Sequence, residues 1–221
     1  MRSGLALAAV LVAACQPAGS ATPTASPIAT LGPQPTATEA LMDLVVSETE
    51  ALAPARYVRP GFEPRMTFAV EAGTGWYAIQ GFEGFFDIQH DVGSPDVTAV
   101  QFARPDAAFG AGGNAVSLVA AADLPAILET HPGLAVVAVD ISRIGGLDGT
   151  HMTVEHAGGE DAVAVLRVPP GPLSILPGRA LWIAAFDTPE GVLAIIVGAS
   201  IAQFDASLAL AEPILDSIVI E

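Results

Sequence analysis

Short stretches in which apolar and polar residues alternate recur from residue 66 to the end of the chain, separated by Gly, Pro and Asp. A period of two places successive side chains on opposite faces of an extended backbone, which is typical of half-buried β-strands. The pattern therefore predicts strands over residues 66–70, 76–80, 85–90, 97–102, 134–141, 150–156, 161–168, 181–186, 192–199 and 214–220.

Apolar residues at helical spacing interrupt this alternation. Residues 39–53 predict a short helix, and residues 116–130 predict a second helix that Asp123 caps and that carries Pro125 in its first turn. A third helix is expected over residues 204–211. Many strands with few helices indicate an α+β domain in which a central, mostly antiparallel sheet is covered by helices.

The glycine pair at Gly158 and Gly159 predicts a tight hairpin, because a two-residue type I′ turn needs positive φ at both central residues. This turn would place His156 opposite Asp161. A one-residue slip would send every side chain to the other face, so the apolar pattern constrains the register. Four side chains are expected to be buried together on one face: Met152, Val154, Val163 and Val165.

A second hairpin is predicted around residues 188–191, where Pro189 and Gly191 occupy favoured positions of a type I turn. The apolar run over residues 192–201 is too short to span a bilayer as a helix. It predicts a central strand that is buried on both faces. The neighbouring strand carries Trp182, which we expect to be largely buried.

The first fifteen residues have the pattern of an export signal. Arg2 provides a positive start, residues 5–14 are small or apolar, and residues 11–15 resemble the bacterial lipobox. In that motif the cysteine is acylated and becomes the new N-terminus. We therefore expect an exported protein that lipid on Cys15 holds at the cell membrane or outer surface. Lipidation would leave the mature chain without a free thiol, because Cys15 is its only cysteine.

Residues 16–38 are rich in Pro, Thr and Ala and carry no charged residue. This composition is typical of an extended linker that raises a domain above its anchor. The predicted organisation is thus a signal peptide at 1–15, a linker at 16–38 and a single globular domain at 39–221.

The charge balance is strongly acidic. Eight basic residues, all arginine, stand against 24 acidic residues, and the formal net charge is -16. Nucleic-acid binding rests largely on lysine and arginine contacts to phosphate, so a nucleic-acid partner is excluded. The same charge disfavours adsorption of the folded domain on anionic lipid, which leaves the anchor as the expected attachment to the membrane.

One dense polar cluster is expected at the tip of the hairpin predicted at Gly158 and Gly159. It would serve either as a weak site for a divalent cation, because carboxylate oxygens suit calcium, or simply as a solvated hairpin end. The cluster consists of Glu155, His156, Glu160 and Asp161. We identify no zinc-binding, dinucleotide-binding or Ser-His-Asp motif, so no cofactor, resident metal or catalytic residue is assigned.

Five aromatic residues lie close together in and between the predicted strands over residues 76–80 and 85–90, in the first hairpin region along the chain. They are Trp76, Tyr77, Phe82, Phe85 and Phe86. They either pack between sheet and helix as part of the core or line an apolar groove that binds a ligand. The sequence leaves both alternatives open.

The order of several segments resembles the PsbP-like superfamily over residues 57–221. The segments are residues 68–76, Phe85 with Phe86, residues 97–102, the glycine-rich turn at 144–149 and the closing segment 214–218. The resemblance implies an α/β/α sandwich, found in extracytoplasmic bacterial lipoproteins and in photosynthetic accessory proteins that are generally not enzymes. No photosystem-binding role is carried over.

These patterns predict a non-catalytic, lipid-anchored extracytoplasmic lipoprotein whose domain binds a partner protein or a small ligand. The alternative is a surface-tethered hydrolase. A hydrolase would show a pocket in which a nucleophile and a base lie within hydrogen-bond reach, whereas a binding module would show an apolar or aromatic groove without that pair.

Overall fold

The computed structural model describes residues 41–47 and 50–221. The predicted signal peptide, Cys15 and the linker at 16–38 lie outside the described residues. Fifteen strands and two α-helices occur within the described ranges. In chain order they are β1 (Leu41–Asp43), β2 (Ala55–Val58), β3 (Met66–Val70), β4 (Trp76–Phe82), β5 (Phe85–His90), β6 (Thr98–Ala103), β7 (Ala107–Phe109), β8 (Ala115–Ser117), α1 (Leu124–Glu129), β9 (Leu134–Ile144), β10 (Leu147–His156), β11 (Val163–Val168), β12 (Gly171–Ile175), β13 (Arg179–Thr188), β14 (Gly191–Ser200), α2 (Phe204–Asp216) and β15 (Val219–Ile220).

The central layer is an antiparallel sheet of seven described strands in the order β4-β5-β6-β14-β13-β10-β9. β14 lies in the middle, and residues 192–199 are all buried, as the uninterrupted apolar run predicts. β13 and β14 form the hairpin expected around residues 188–191, with Thr188 opposite Gly191. The prediction of an α+β fold with a mostly antiparallel sheet is confirmed.

Buried side chains of the described residues form two clusters, one on each face of this sheet. The first cluster lies under α2 and the small sheet β1-β2-β3-β15, and the second lies under α1 and the small sheet β12-β11-β7-β8. Each outer layer therefore combines one helix with a short sheet. Burial on both faces explains why the central strands carry long apolar runs instead of strict alternation.

The predicted hairpin between β10 and β11 is wrong. β10 pairs with β9 on one side and with β13 on the other, so neither of its edges is free for β11. β11 instead crosses to an outer sheet and pairs with β12 and β7. Met152, Val154 and Val165 are nevertheless buried in one cluster, and Val163 packs against it. The expected burial is correct, but it arises because the two sheets face each other.

The predicted helix over residues 39–53 is also wrong where the structure describes it. Leu41–Asp43 forms β1, which pairs in parallel with β2, and Leu44 is buried in the first cluster. Helical spacing of apolar residues alone does not fix this segment, because a short isolated helix is marginal without tertiary packing. Pairing with the edge of β2 gives backbone groups of this segment their hydrogen-bond partners.

Both remaining helices differ in extent from the predictions. α1 covers only Leu124–Glu129, because Ala115–Ser117 pairs with β7 as β8. Asp123 precedes α1, although its side chain makes no capping hydrogen bond. α2 continues to Asp216, so the predicted strand over residues 214–220 is reduced to β15. Neither described helix has the length and apolar content needed to cross a bilayer.

Candidate functional site

A cavity of about 490 Å³ lies between α2 and the strands β9, β10 and β13. We call it the α2 groove. Its sheet side includes Ser142, His151 and Trp182, and its helix side includes Asp205, Glu212 and Asp216. The strand side follows from the pairing of β9, β10 and β13, which brings alternate side chains of each strand to the same face.

The floor of the α2 groove is aromatic. His151 lies opposite Ala184, two residues from Trp182 on β13, so both rings project from the same face of the sheet. Their centroids are 5.3 Å apart and their planes are inclined by 32°. Both residues are half-buried, and Trp182 packs against the first core cluster. Trp182 is thus mostly buried, in line with the sequence prediction, and part of its indole faces the groove.

The imidazole of His151 has an unused hydrogen-bonding atom. Its Nδ1 atom is buried and has no hydrogen-bond partner among the described residues. Buried polar atoms in native proteins are paired in the great majority of cases, and an unpaired one costs about 1–3 kcal/mol. This nitrogen is shielded from solvent, so other atoms of the His151 side chain line the cavity.

The helix side of the groove is acidic. Asp205, Glu212 and Asp216 are exposed and are spaced by seven and four residues, which places them along one side of α2. On the opposite rim Arg143 lies 3.5 Å from Asp148. Both of these side chains are mostly exposed, with 73% and 80% of their surface accessible. Such a solvated pair contributes little, and the carboxylates of α2 face the cavity without a matching cation on that helix.

Ser142 and His151 are close enough in register to raise the question of catalysis. Ser142 lies opposite Gly149, and His151 lies opposite Asp140, so the two are diagonal neighbours on β9 and β10. No hydrogen bond joins them among the described contacts, and the buried Nδ1 of His151 has no hydrogen-bond partner. A Ser nucleophile needs a hydrogen-bonded base, which a third group orients in turn. The groove does not contain that arrangement.

A second cavity of about 470 Å³ lies beside the turn between β11 and β12. Its walls include Phe82, Arg104, Asp106, Pro169 and Pro170. Two of its three charged side chains are already paired: the Arg104 guanidinium donates to the backbone oxygen of Glu190 at 2.6 Å, and Asp106 accepts a two-point hydrogen bond from Arg167, whereas the third, Glu83, is exposed. This cavity therefore offers an apolar surface but few uncommitted polar atoms.

The structure separates the five aromatic candidates. Trp76 and Phe86 are each 1% exposed and lie in the first core cluster, whereas Phe85 lies in the second. Tyr77 is half-buried, and Phe82 is 41% exposed and stacks on Phe85 with ring centroids 4.9 Å apart. Phe82 lines the second cavity. The set thus contributes mainly to the cores, with Phe82 alone of the five at the wall of that cavity.

The proposed cation cluster is not assembled, because the hairpin that would have gathered it does not form. His156 is buried, and its Nε2 lies 2.9 Å from the backbone oxygen of Asp161. Glu160 and Asp161 are exposed, and Glu155 lies on β10 opposite Ala180. Among the described residues, no group of three or more His, Cys, Asp or Glu side chains is arranged to hold a metal ion.

A buried carboxyl lies on β5, away from the α2 groove. Asp87 is 2% exposed and accepts hydrogen bonds from the Gln80 amide and from the Gln89 side chain, both at 2.7 Å. Burial raises the pKa of the Asp87 carboxyl, and the two hydrogen bonds act in the opposite direction. The Asp87 carboxyl therefore holds the Gln80 amide and the Gln89 side chain in place, although burial disfavours its charged form.

The α2 groove is not predicted from the sequence. The predicted third helix ends at residue 211 and residues 214–220 are predicted as a strand, so Asp205 and Asp216 are expected on two different elements. The signal that could have revealed the groove is the recurrence of acidic residues at positions 205, 212 and 216 among apolar residues, which is a helical spacing.

Comparison of the sequence with protein-family models and with curated proteins found no match. Solved structures show a distant likeness. Cyanobacterial PsbP (CyanoP) from Synechocystis sp. PCC 6803 is 10% identical, with a TM-score of 0.42, covering 80% of this chain and 98% of that one. LpqN of Mycobacterium tuberculosis, described as involved in cell envelope biogenesis, is 11% identical, with a TM-score of 0.41, covering 75% and 91%.

A protein from Bacteroides thetaiotaomicron VPI-5482 is 9% identical, with a TM-score of 0.33, covering 71% of this chain and 45% of that one. Because the TM-scores lie below 0.5, these likenesses transfer neither a site nor an activity to this chain.

Proposed function

We propose that the protein is a non-catalytic lipoprotein, held outside the cytoplasm by lipid on Cys15, whose folded domain binds a small ligand in the α2 groove. The observation that carries the binding role is a cavity of about 490 Å³ whose floor includes the rings of Trp182 and His151. Cavities of about 300–1,000 Å³ with a few uncommitted polar atoms are typical of small-ligand sites.

Energetics favours a ligand at this position. Trp182 and His151 present ring surface that water solvates poorly, so covering it stabilises a complex. The second cavity lacks such a pair of rings, and two of its three charged side chains, Arg104 and Asp106, are already bonded to protein atoms.

The test is to fill the groove from its helix side. Ala209 is exposed on α2 and lines the cavity, so Ala209→Trp would place an indole in the ligand space. The matched control is Ala206→Trp, because Ala206 is equally exposed on the same helix and does not line the cavity. We expect ligand-observed NMR with a small-fragment library to detect fragments that bind the wild type and the control but not Ala209→Trp. Fragment binding that Ala209→Trp leaves intact, or no binding at all, would overturn the proposal.

The alternative, a surface hydrolase, rests on the presence of Ser142 and His151 in one groove. It predicts that Ser142→Ala abolishes hydrolysis of a simple ester such as p-nitrophenyl acetate. We expect the wild type and Ser142→Ala to hydrolyse this ester at the same background rate. A loss of activity confined to Ser142→Ala would establish the hydrolase instead.

The anchor is tested separately. We expect Cys15→Ser to abolish labelling with a radioactive or clickable fatty acid and to move the protein from the detergent phase to the aqueous phase, because Cys15 is the chain's only cysteine. Unchanged labelling and partitioning of that variant would contradict the anchor.

A further inference from the structure

A third cavity, of about 340 Å³, lies between β12 and the end of the central sheet that β4, β5 and β6 form. We call it the β12 pocket. Its sheet wall includes Gln80, Phe82, Phe85 and Gln101, and its other wall includes residues 170–174. Phe85 belongs to the cluster under α1, whereas the α2 groove lies over the cluster under α2. The two sites therefore lie on opposite faces of the sheet and share no residue.

Polar side chains interrupt the apolar face of the sheet at this pocket. Asp87 follows Phe85 by two residues on β5, so both side chains point to the same face. Asp87 lies opposite Gln80 of β4 on one side and opposite Gln101 of β6 on the other. The next residue of the row is Ile196 of β14, where the face is apolar again. Polar residues are uncommon on a sheet face that is otherwise packed in a core, so this row is a candidate for function.

The carboxamides of Gln80 and Gln101 are uncommitted. Neither makes a side-chain hydrogen bond to another described residue, and the same holds for the hydroxyl of Ser174 on the opposite wall. The Asp87 carboxylate, by contrast, is held by the Gln80 backbone amide and the Gln89 side chain, and it does not line the pocket. A carboxamide offers an acceptor oxygen and two donor N–H groups. The pocket can therefore bond to a ligand whose polar groups both donate and accept.

Beside the polar row the wall of the pocket is aromatic. Phe82 lies opposite Phe85, and their rings stack with centroids 4.9 Å apart and planes inclined by 20°. The stacking covers one face of the Phe82 ring, which nevertheless remains 41% exposed. Covering exposed aromatic surface with the apolar face of a ligand stabilises a complex. The pocket thus combines an apolar platform with hydrogen-bonding groups at its side.

The β12 pocket is uncharged. None of the described residues that line it carries a charge, although the formal net charge of the chain is -16. An ionised group brought into such a site would lose hydration without gaining an opposite charge, which is unfavourable. The lining therefore selects a neutral ligand with hydrogen-bonding groups.

An extended peptide fits this place less well than a compact ligand. A peptide strand would bind by pairing with the outer edge of β4. The chain itself already contacts that edge: the Ser47 amide donates to the Ala78 oxygen at 2.7 Å, and the Arg59 guanidinium lies against Gly81. Backbone pairing beside the pocket is therefore obstructed.

We infer that the β12 pocket binds a neutral saccharide. Sugar hydroxyls, which both donate and accept, bond to the carboxamides of Gln80 and Gln101, while an apolar C–H face of the sugar ring packs on Phe82. The inference goes beyond the proposed function and does not depend on it, because the α2 groove is a separate site.

The probes are neutral sugars: glucose, galactose, mannose, maltose, cellobiose and lactose. Saturation-transfer NMR with the wild-type protein is expected to detect binding of at least one disaccharide, and calorimetric titration then measures its affinity. Because the pocket is uncharged, we expect this affinity to change by less than about twofold when the salt concentration is raised from about 0.05 M to about 0.5 M. Absence of binding by every sugar of the panel would overturn the inference.

Three single variants locate the sugar. Gln80→Leu and Gln101→Leu are each expected to weaken binding about fivefold, because each removes neutral hydrogen bonds to hydroxyl groups. Phe82→Leu is expected to weaken binding by a similar factor through loss of the ring face. The matched control is Gln203→Leu, because Gln203 is exposed and does not line the pocket. We expect this control to remain within about twofold of the wild type.

Urea unfolding shows whether each variant is folded. If Gln101→Leu does not fold, Gln80→Leu and Phe82→Leu still decide the question, because both residues are exposed. Sugar binding that the pocket variants leave unchanged would overturn the inference.

Ala209→Trp, which fills the α2 groove, separates the two sites. We expect it to leave sugar binding unchanged. Loss of sugar binding in Ala209→Trp, with retention in the pocket variants, would place the sugar in the α2 groove, which would overturn the saccharide site at β12 and support the proposed function. Tighter binding of N-acetylalanine methylamide or cyclohexanol in the pocket than of every sugar would assign the pocket to an amide or an apolar ligand and overturn the saccharide.

Discussion

At the residue scale, Gly149 shows how tightly the central sheet is packed around single positions. It lies within β10, opposite Ser142 of β9. A Cβ atom built on Gly149 would collide with the backbone oxygen of Ala185 and with the ring of Phe186. Backbone atoms in the middle of a sheet cannot move away as a flexible side chain can, so this glycine is required by space and not by its φ angle.

We predict that Gly149→Ala destabilises the domain by about 3 kcal/mol or more, because overpacking against the backbone forces β10 and β13 apart. Gly171→Ala is the control: Gly171 lies on β12, and a Cβ atom there meets no atom within 4 Å. We expect this control to change stability by less than about 0.5 kcal/mol. Urea unfolding followed by circular dichroism measures both. Equal stability of the two variants would contradict the packing argument.

The buried carboxyl of Asp87 gives a pH-dependent prediction. Its pKa is raised by burial above the value of about 3.9 that an unfolded chain shows. Between these two values the folded state binds more protons than the unfolded state, so this group lowers stability as the pH rises from about 4 through the folded pKa. Asp87→Asn removes that contribution and can keep both hydrogen-bond positions if the Gln89 amide rotates.

We therefore expect the stability of the wild type relative to Asp87→Asn to be highest near pH 4 and to fall as the pH is raised. Urea unfolding of both proteins at several pH values between 4 and 7 measures the difference. A difference that stays constant over this range, or that grows in favour of the wild type, would show that the Asp87 pKa is not raised in the folded protein.

At the scale of elements, two of the chain's three adjacent glycine pairs show why a local turn motif does not decide which strands pair. Gly145 and Gly146 have φ angles of 60° and 89°, which match a type I′ turn, and they join β9 to β10 with Ile144 opposite Leu147. Gly158 and Gly159 also have positive φ angles, but they lead out of the sheet. A local motif identifies a turn, whereas the pairing of distant strands decides whether the turn closes a hairpin.

The same distinction applies to the other elements. β3, β5 and the β13–β14 hairpin were predicted closely, because their patterns and turn residues are local. The α2 groove could not be predicted, because it needs the full length of α2 and the position of α2 over β9, β10 and β13, which are separate segments of the chain. Apolar residues of the last helix pack at spacings that also fit a short strand, so the pattern alone did not separate the two.

β9 is the edge strand of the central sheet and carries exposed apolar side chains. Val137, Val139 and Ile141 are 59%, 46% and 81% exposed. The carboxylate of Asp140 accepts a hydrogen bond from the Ile141 amide at 2.7 Å, and the pairing with β10 contains an irregularity near Val137. A charged side chain that accepts a hydrogen bond from a backbone amide of an edge strand leaves that amide unavailable to another strand. Together with a bulge, it discourages edge-to-edge pairing.

We predict that Asp140→Val causes concentration-dependent self-association, because it frees the edge amide and extends the apolar stretch of β9. Asp148→Val is the matched control, since Asp148 is an exposed carboxylate on the neighbouring strand β10. Light scattering after size-exclusion chromatography measures the mass of each variant over a range of concentrations. Self-association of the control to the same degree would assign the effect to lost charge instead.

At the scale of the whole molecule, the domain combines an acidic surface with a densely apolar interior. Half of the chain is hydrophobic by composition, and only 14% is charged. This charge is unfavourable for adsorption on anionic lipid, so we expect the predicted lipid on Cys15 and the linker at 16–38 to set the distance of the domain from the membrane.

The middle strand β14 links the two buried clusters. Leu193, Ile195 and Val197 belong to the cluster under α2, whereas Val192, Ala194 and Ile196 belong to the cluster under α1. Neither cluster can open without exposing one side of this strand, so the two halves of the interior are coupled through it.

This coupling has a kinetic consequence. Amide hydrogens in the middle of β14 can exchange with solvent deuterium only when the whole domain opens, whereas those of β1 and of the exposed edge of β9 exchange through local opening. We expect mass-spectrometric exchange to find the slowest amides in β13 and β14, with exchange free energies equal to the global stability from urea unfolding. Gly149→Ala should then accelerate exchange in β14 even though β14 is not its neighbour. A disturbance in either half of the interior lowers the free energy of the global opening that both halves share.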